Sequence, residues 1–276
     1  MQTRADTQRL KKRKIALVPT MGYFHEGHLT LMRKGRQLGD ELVVSLFVNP
    51  TQFGPDEDFE TYPRDTDRDL ELARKAGVDV LFMPETPFLY PDGFQTFVNL
   101  NDLPQHLCGL SRPNFFQGVA TVVTKLFNIV KPHVAIFGEK DYQQLAVIRR
   151  MVKDLNLDID IIGAETVREP DGLAMSSRNA YLAPAQRTPA ISLFLALTKA
   201  KEHVAKGETD AGRVIAAATE TISSHPDTVI DYITICDPNT LQDKKTIKSP
   251  VIMALAVKVG QTRLIDNMRL MPPETA

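Results

Sequence analysis

Apolar residues follow two rhythms along this chain, and the switching between them marks out its elements. Ile15 to Val18 and Leu42 to Val48 are nearly unbroken apolar runs, the pattern of strands buried on both faces. Val78 to Met83, Val134 to Phe137 and a stretch within Leu157 to Val167 repeat it. Helical patterns fill the intervals: Leu29 to Leu38, Asp65 to Ala76 with Gly77 suited to its C-terminal cap, Gln117 to Val130, and Tyr142 to Leu155. Strands alternating with helices predict a parallel sheet covered on both faces. Pro84 to Pro113, rich in Pro, Gly and aromatics, interrupts the alternation. Glu169-Pro170-Asp171-Gly172 is turn chemistry and the expected domain boundary, dividing residues 1–167 from 168–276. Beyond it, helices over 183–205 and 211–223 and strands over 230–235, 251–257 and 262–265 predict a smaller α+β domain.

Composition narrows the picture. The chain has 276 residues, 43% of them hydrophobic, which supports a substantial core. With 33 basic and 34 acidic residues the net charge is −1, so no overall field favours nucleic acid or an anionic membrane, and any anion site is local. Cys108 and Cys236 are the only cysteines, too few for a disulfide framework. The basic N-terminus, Arg4 to Lys14, has no apolar segment of the signal-peptide kind and reads as a solvated helix face. No transmembrane span is present in the pattern, and the cytoplasm is the expected compartment.

The chemistry concentrates where strands end. The first apolar run leads into Pro19-Thr20-Met21-Gly22-Tyr23-Phe24-His25-Glu26-Gly27-His28, so two histidines fall at a strand-to-helix turn. A helix N-terminus presents unpaired N–H groups and a positive dipole end, and it attracts phosphate. Gly22 and Gly27 let the backbone approach a ligand closely. A zinc site is disfavoured, because the helical motif H-E-x-x-H spaces its histidines four apart and these are three apart. Asn49 and Gln52 follow the second run; neutral amides suit a hydroxylated acid whose carboxylate must stay nucleophilic. Gly138-Glu139-Lys140-Asp141 follows Phe137: Lys140 suits triphosphate oxygens, and Asp141 suits a helix cap, a nucleotide hydroxyl or Mg²⁺. Gln144 lies one helical turn on. Met175-Ser176-Ser177-Arg178 groups two hydroxyls with a guanidinium, a compact phosphate-binding set. Ligands of open α/β sheets bind outside the carboxyl ends of strands, so the His25/His28, Asn49/Gln52 and Glu139/Lys140/Asp141 loops are expected to serve one site.

Taken singly, each segment has an ordinary structural reading as turn, cap or surface pair. Taken in order, they carry a resemblance. His25-x-Gly27-His28 resembles the H-x-G-H signature of nucleotidyl-transferring enzymes, and Met175 to Arg178 resembles the partner loop of class I aminoacyl-tRNA synthetases. The full series is PTMG–HEGH, FVNPTQF, YPR, GVATVV, GEKDYQQL and DGLAMSSRN–YL, from about Ile15 to Leu182. It resembles the pantoate–β-alanine ligase family.

The resemblance implies a Rossmann-like sheet of the H-x-G-H nucleotidyltransferase type with a smaller α+β C-terminal domain that covers the site. It implies ATP-dependent joining of D-pantoate to β-alanine through a pantoyl-adenylate, with AMP and pyrophosphate released, in a homodimer using Mg²⁺. Carried over by motif, Met21, Gly22, His25, Gly27, His28, Gly138, Glu139, Lys140, Asp141, Val167 and Met175 to Arg178 bind ATP. Gln52 and Gln144 bind pantoate, with Gln52 also near the β-alanine site, Arg112 is a candidate for the second half-reaction, and Asn49 joins the substrate-binding set on its amide chemistry. His28 acts as an acid at the phosphate, His25 and Lys140 stabilise its charge, and Ser176, Ser177 and Arg178 complete the catalytic set. No metal ligands are assigned.

Four departures stand out. Tyr23-Phe24 replaces a small-plus-aliphatic pair, and Asn114-Phe115 stands where many members have Gly-His. The N-terminus reads as shorter than usual and is expected to lack the family's first short strand. Asp65, Asp67 and Asp69 occupy a region where some members hold Mg²⁺. The competing readings are a nucleotidyltransferase acting on a phosphate acceptor, which calls for an added basic cluster, and a nucleotide-sensing module without turnover.

Overall fold

The computed structural model describes residues 1–55 and 57–273. It contains helices α1 (Gln2–Leu10), α2 (Glu26–Leu38), α3 (Thr66–Lys75), α4 (Thr86–Leu89), α5 (Cys108–Ser111), α6 (Phe115–Val130), α7 (Tyr142–Asp154), α8 (Arg187–Ala205) and α9 (Ala211–Ser223). Its strands are β1 (Ile15–Thr20), β2 (Glu41–Leu46), β3 (Val80–Phe82), β4 (Val134–Gly138), β5 (Asp160–Ala164), β6 (Thr228–Cys236), β7 (Val251–Val259) and β8 (Thr262–Leu270). Two compact units result. One holds Met1–Asn101, Arg112–Glu139 and Gln144–Val167; the other holds Asp102–Ser111, Lys140–Gln143 and Arg168–Ala276.

The first unit is built on a five-stranded sheet in the order β3-β2-β1-β4-β5, with every pairing parallel. Period-two alternation explains its two cores. Ile15 and Leu17 of β1 face one way with Val43, Ala135 and Phe137, against α1, α6 and α7. Ala16 and Val18 face the other way with Leu42, Val44 and Ile136, against Met32 of α2 and Ala73 of α3. Strands buried on both faces need apolar residues at every position, which is why these segments read as unbroken runs. The order reverses between β1 and β4, the place where such sheets bind ligands.

The second unit packs α8 and α9 on an antiparallel sheet, β6-β7-β8. Leu193, Leu197 and Val214 meet Met253, Leu255 and Leu264 in its core.

Several element ends differ from the sequence pattern. Helix α6 begins at Phe115, not Gln117, because Asn114 adopts a left-handed conformation (φ 68°) and starts the turn. Helix α8 begins at Arg187, after a 3₁₀ turn at Pro184–Gln186. The third strand shrinks to Val80–Phe82, and β8 extends to Leu270. The interrupted stretch from Pro84 to Pro113 holds the short helices α4 and α5. The N-terminal basic residues are not one helix face. Helix α1 ends at Leu10, Arg4 pairs with Glu41, and Arg9 donates to the Lys131 carbonyl.

Candidate active site

β1 ends at Thr20, whose Oγ1 donates to the Ser45 carbonyl at 2.6 Å, and the chain turns into α2 over Met21 to His25. The turn is conformationally demanding. Gly22 has φ 89°, and Tyr23, a residue with a side chain, has φ 51° in the left-handed region. Asp69 holds it there. Its Oδ2 accepts Tyr23 N–H and its Oδ1 accepts Phe24 N–H, each at 2.6 Å. This carboxylate, on α3, is only 1% exposed. A Cβ on Gly22 would lie 3.1 Å from Asp69 Oδ2 and 3.2 Å from Leu46, so glycine is needed for the close approach as well as for φ. Burial pushes the Asp69 carboxyl above its ordinary value, opposed chiefly by the N–H groups of Phe24 and Tyr23.

The two large residues between glycine and histidine have assigned places. Phe24 is fully buried and anchors the turn; Tyr23 lies under the Arg68 guanidinium at 5.4 Å. His25 is the N-cap of α2. Its Nδ1 accepts Gly27 N–H at 3.2 Å, while His28 Nδ1 accepts His25 N–H at 3.3 Å. Each neutral ring therefore carries its proton on Nε2, and the tautomers are set by the helix cap. The rings lie 4.1 Å apart, with Phe24 5.6 Å from His28.

At the carboxyl end of β2, Asn49 and Gln52 flank a 3₁₀ turn. Asn49 is 1% exposed and its amide is fully occupied. Nδ2 donates to Gln52 Oε1 (3.1 Å) and the Gly118 carbonyl (3.2 Å); Oδ1 accepts from Tyr90 OH (2.9 Å) and Thr51 Oγ1 (3.0 Å). Asn49 thus orients Gln52, whose Nε2 lies 3.0 Å from Met21 Sδ. The approach requires Gly118, because a Cβ there would sit 2.4 Å from the Thr51 carbonyl oxygen. Arg112 Nη2 donates to the Gln52 carbonyl at 3.1 Å. Met21, Asn49, Gln52 and Arg112 are therefore brought together within the first unit. That unit also has a cavity of about 330 Å³ bordered by Met21, Gly22, Tyr23, Arg64, Asp69 and Glu85.

Gly138 closes β4, Glu139 follows in a 3₁₀ turn, and Gln144 is half-buried on α7. Val167 is half-buried in irregular backbone at the end of the first unit.

In the second unit, Lys140 Nζ lies 3.9 Å from Asp141 Oδ1, and the Lys140 carbonyl accepts from Asn267 Nδ2 at 2.9 Å. Gln143 is buried; it donates to the carbonyls of Leu103 and His106 and accepts Cys108 N–H, which fixes the 102–111 segment. Met175 is half-buried and Ser177 buried. Ser176 Oγ accepts Arg178 N–H at 3.3 Å, starting the 3₁₀ turn Ser177–Tyr181. The preceding hairpin is fixed by Arg168, whose Nη1 and Nη2 reach Asp266 at 2.6 and 3.0 Å while Nη1 also donates to the Gly172 carbonyl.

Two of the three aspartates in the Asp65 to Asp69 region have structural partners. Asp65 accepts Arg68 N–H as the N-cap of α3, and Asp69 clamps the histidine turn. Among the described residues no three His, Cys, Asp or Glu side chains form a metal cluster. Asp69 is the residue whose role local sequence did not show: its carboxylate and the histidines are more than forty positions apart, and nothing local links them.

A parallel sheet in this order, with the H-x-G-H turn starting the first helix after β1, defines a Rossmann-like α/β protein with its candidate site at the carboxyl ends of the strands. The profile of the pantoate–beta-alanine ligase family matches residues 1–269. The pantothenate synthetase of Desulfatibacillum aliphaticivorans is 60% identical over 272 residues, covering 99% of this chain and 97% of its own. The crystal structure of pantothenate synthetase from Thermus thermophilus superposes with a TM-score of 0.93 at 43% identity, over 97% of this chain and 98% of that one. The Francisella tularensis pantoate–beta-alanine ligase, complexed with beta-gamma ATP and beta-alanine, superposes with a TM-score of 0.79 at 34% identity, over 96% and 93%. The chain belongs to the pantoate–β-alanine ligase family.

Proposed function

We propose that this chain joins D-pantoate to β-alanine in two steps driven by ATP. A pantoate carboxylate oxygen attacks the α-phosphorus, the bond to the β-phosphate oxygen breaks, and pyrophosphate leaves. The deprotonated amine of β-alanine then attacks the acyl carbon of the pantoyl-adenylate, and AMP departs as the amide forms. The observation that carries this reading is the α2 N-terminus, where His25 and His28 each accept a backbone N–H at Nδ1. Nε2–H is then the donor of each ring, at a helix end already suited to negative charge.

In this reading Met21, Gly22, His25, Gly27, His28, Gly138 to Asp141, Val167 and Met175 to Arg178 bind ATP. His28 acts in the acid's place at the phosphate by donating a hydrogen bond from Nε2–H, and His25 and Lys140 stabilise the charge that builds there. Ser176, Ser177 and Arg178 supply hydroxyl and guanidinium donors to the phosphates. Gln52 and Gln144 take pantoate, Asn49 acts by orienting Gln52, and Arg112 takes the β-alanine carboxylate. The first domain, 1–167, supplies the histidine turn and the amides, and residues 168–276 supply the Ser-Ser-Arg loop. Mg²⁺ would be held by the triphosphate and not by a dedicated protein cage, as is usual for this ion. Its chemistry is neutralisation of the triphosphate.

No described helix is long and apolar enough to cross a membrane. Cytoplasmic residence and a homodimer complete the proposal; light scattering tests the dimer. The decisive experiment is ATP–pyrophosphate exchange with a panel of small acids and no β-alanine. Pantoate-dependent exchange is expected. Exchange that requires β-alanine rules out a free adenylate, and exchange with phosphate-ester acceptors in place of pantoate points to a nucleotidyltransferase.

A further inference from the structure

Arg112 already holds a carboxylate. Its Nε donates to Glu57 Oε1 at 2.7 Å and its Nη2 to Glu57 Oε2, a two-point pairing of guanidinium and carboxyl group. The guanidinium cannot readily turn away. Its carbon lies 3.8 Å over the Phe115 ring, and Nη2 also donates to the Gln52 carbonyl at 3.1 Å. The fork is therefore fixed beside the residue proposed to hold pantoate, and one edge of it faces Glu57.

Glu57 comes from a less regular part of the chain. It lies in a segment between the Pro50–Gln52 turn and α3 that forms no helix or strand among its described residues. That strap has anchors on either side of Glu57. Phe53 packs edge-on against Phe59 at 5.4 Å and Tyr62 at 5.9 Å, while Arg64 donates to the carbonyls of Phe59, Glu60 and Tyr62. The Glu57 side chain is 27% exposed and Arg112 14%, so the pair lies near the surface and not in the core. A side chain so placed can swing into solvent while the strap and the arginine stay in position.

The amine substrate presents the same group that Glu57 presents. β-Alanine must point its amine at the acyl carbon, which leaves its carboxylate to be bound a few bonds away by a cation. Resting on the proposed ligase reaction and on Arg112 as the receptor for that carboxylate, we propose that Glu57 is a built-in placeholder. It occupies the Arg112 fork in the absence of β-alanine and must be displaced by the substrate's carboxylate. Glu57 thereby sets the affinity for the amine substrate. It keeps a partly buried guanidinium paired through the first half-reaction and blocks pantoate's own carboxylate from the wrong cation. Apparent affinity is reduced by the fraction of time the fork is open, so occupancy of about nine-tenths raises the KM about tenfold.

The test is steady-state kinetics of the full chain with all three substrates varied in turn, for the parent, Glu57→Gln, Glu57→Asp and Arg112→Ala. Glu57→Gln keeps the shape and removes the charge; Glu57→Asp keeps the charge and withdraws it by one methylene. Both are expected to lower the KM for β-alanine about tenfold while the KM for ATP and pantoate moves less than about twofold. Propionate, a carboxylate without an amine, should become a correspondingly stronger inhibitor competitive with β-alanine. An unchanged or raised KM for β-alanine in both folded Glu57 variants, checked by melting curves, overturns the placeholder. Arg112→Ala separates the two layers. If it raises the KM for β-alanine while the Glu57 variants do not lower it, Arg112 is the receptor and only the placeholder fails. If Arg112→Ala leaves that KM unchanged, the receptor assignment fails and takes the placeholder with it.

Discussion

Two irregular loops carry most of the proposed phosphate ligands, and each is fixed by one buried carboxylate used in a different way. In the first unit, Asp69 accepts two backbone N–H groups directly and holds Tyr23 in a left-handed conformation. In the second, Asp266 pairs with the side chain of Arg168, which then donates to the Gly172 carbonyl. The Asp266 side chain is 3% exposed and its partner 20%, so this is an ion pair whose acid is buried. The first arrangement sets the backbone that carries the histidines. The second braces a hairpin against strand β8, one step away from Ser176 to Arg178. Loss of the Asp69 clamp should appear mainly in rate, and loss of the Asp266 pair mainly in stability.

The largest expected effect tests the second half of that contrast. Arg168→Ala leaves a buried carboxylate without its cation and should lower unfolding free energy by about 3–5 kcal/mol. Denaturant melts give the value, and a loss below about 1 kcal/mol would place the bracing elsewhere. Next come His28→Ala and Lys140→Ala. Each removes one donor aimed at developing charge and should lower kcat by roughly 10²–10³, about 3–4 kcal/mol of barrier, without loss of fold.

Asp69→Asn sharpens the first half. An amide retains one acceptor and turns a donor toward a backbone N–H, so the turn shifts but the side-chain volume stays. A misplacement of this kind should lower kcat for pyrophosphate exchange by up to about 10². Because Asp69 acts through the histidine turn, adding Asp69→Asn to His28→Ala should lower the rate less than the product of the two single effects. Full additivity would separate Asp69 from His28.

Acid should affect the two loops differently, one in rate and the other in stability. The Asp69 carboxyl is raised above 3.8 by burial, so the folded protein takes up this proton more readily than the unfolded chain. Protonation therefore costs no stability at this group, yet it weakens the clamp. An acid limb in kcat is expected before melting temperature begins to fall, and Asp69→Asn should lack it. In the second unit the hydrogen bond from Arg187 lowers the Asp171 carboxyl below 3.8. That contribution is present above 3.8 and is lost as pH falls through the lowered value, so here acid removes stability. Asp171 is largely solvated, and its melting-temperature effect should be the smallest of the set.

How much was legible beforehand follows from the range of each interaction. Unbroken apolar runs marked the sheet strands, because burial on both faces leaves few polar positions in β1, β2 or β4. The same runs placed three polar turns at the carboxyl ends of strands in one sheet, and the order of the short motifs identified the family. What the sequence could not display was the use of side chains paired over distance. Asp69 had no assigned role until α3 lay against the turn that follows β1 and brought its carboxylate to the N–H groups of Tyr23 and Phe24. Asn49 reads as a substrate contact from sequence, and only the fold shows that Tyr90, Thr51, Gln52 and Gly118 partner its amide. Arg112 and Glu57 are 55 positions apart, and only the folded chain joins them. Residue type and local periodicity determined the elements and the chemistry available at their ends. Tertiary packing decided which polar groups are already satisfied by the protein and which can serve a ligand, because that depends on partners the local chain does not contain.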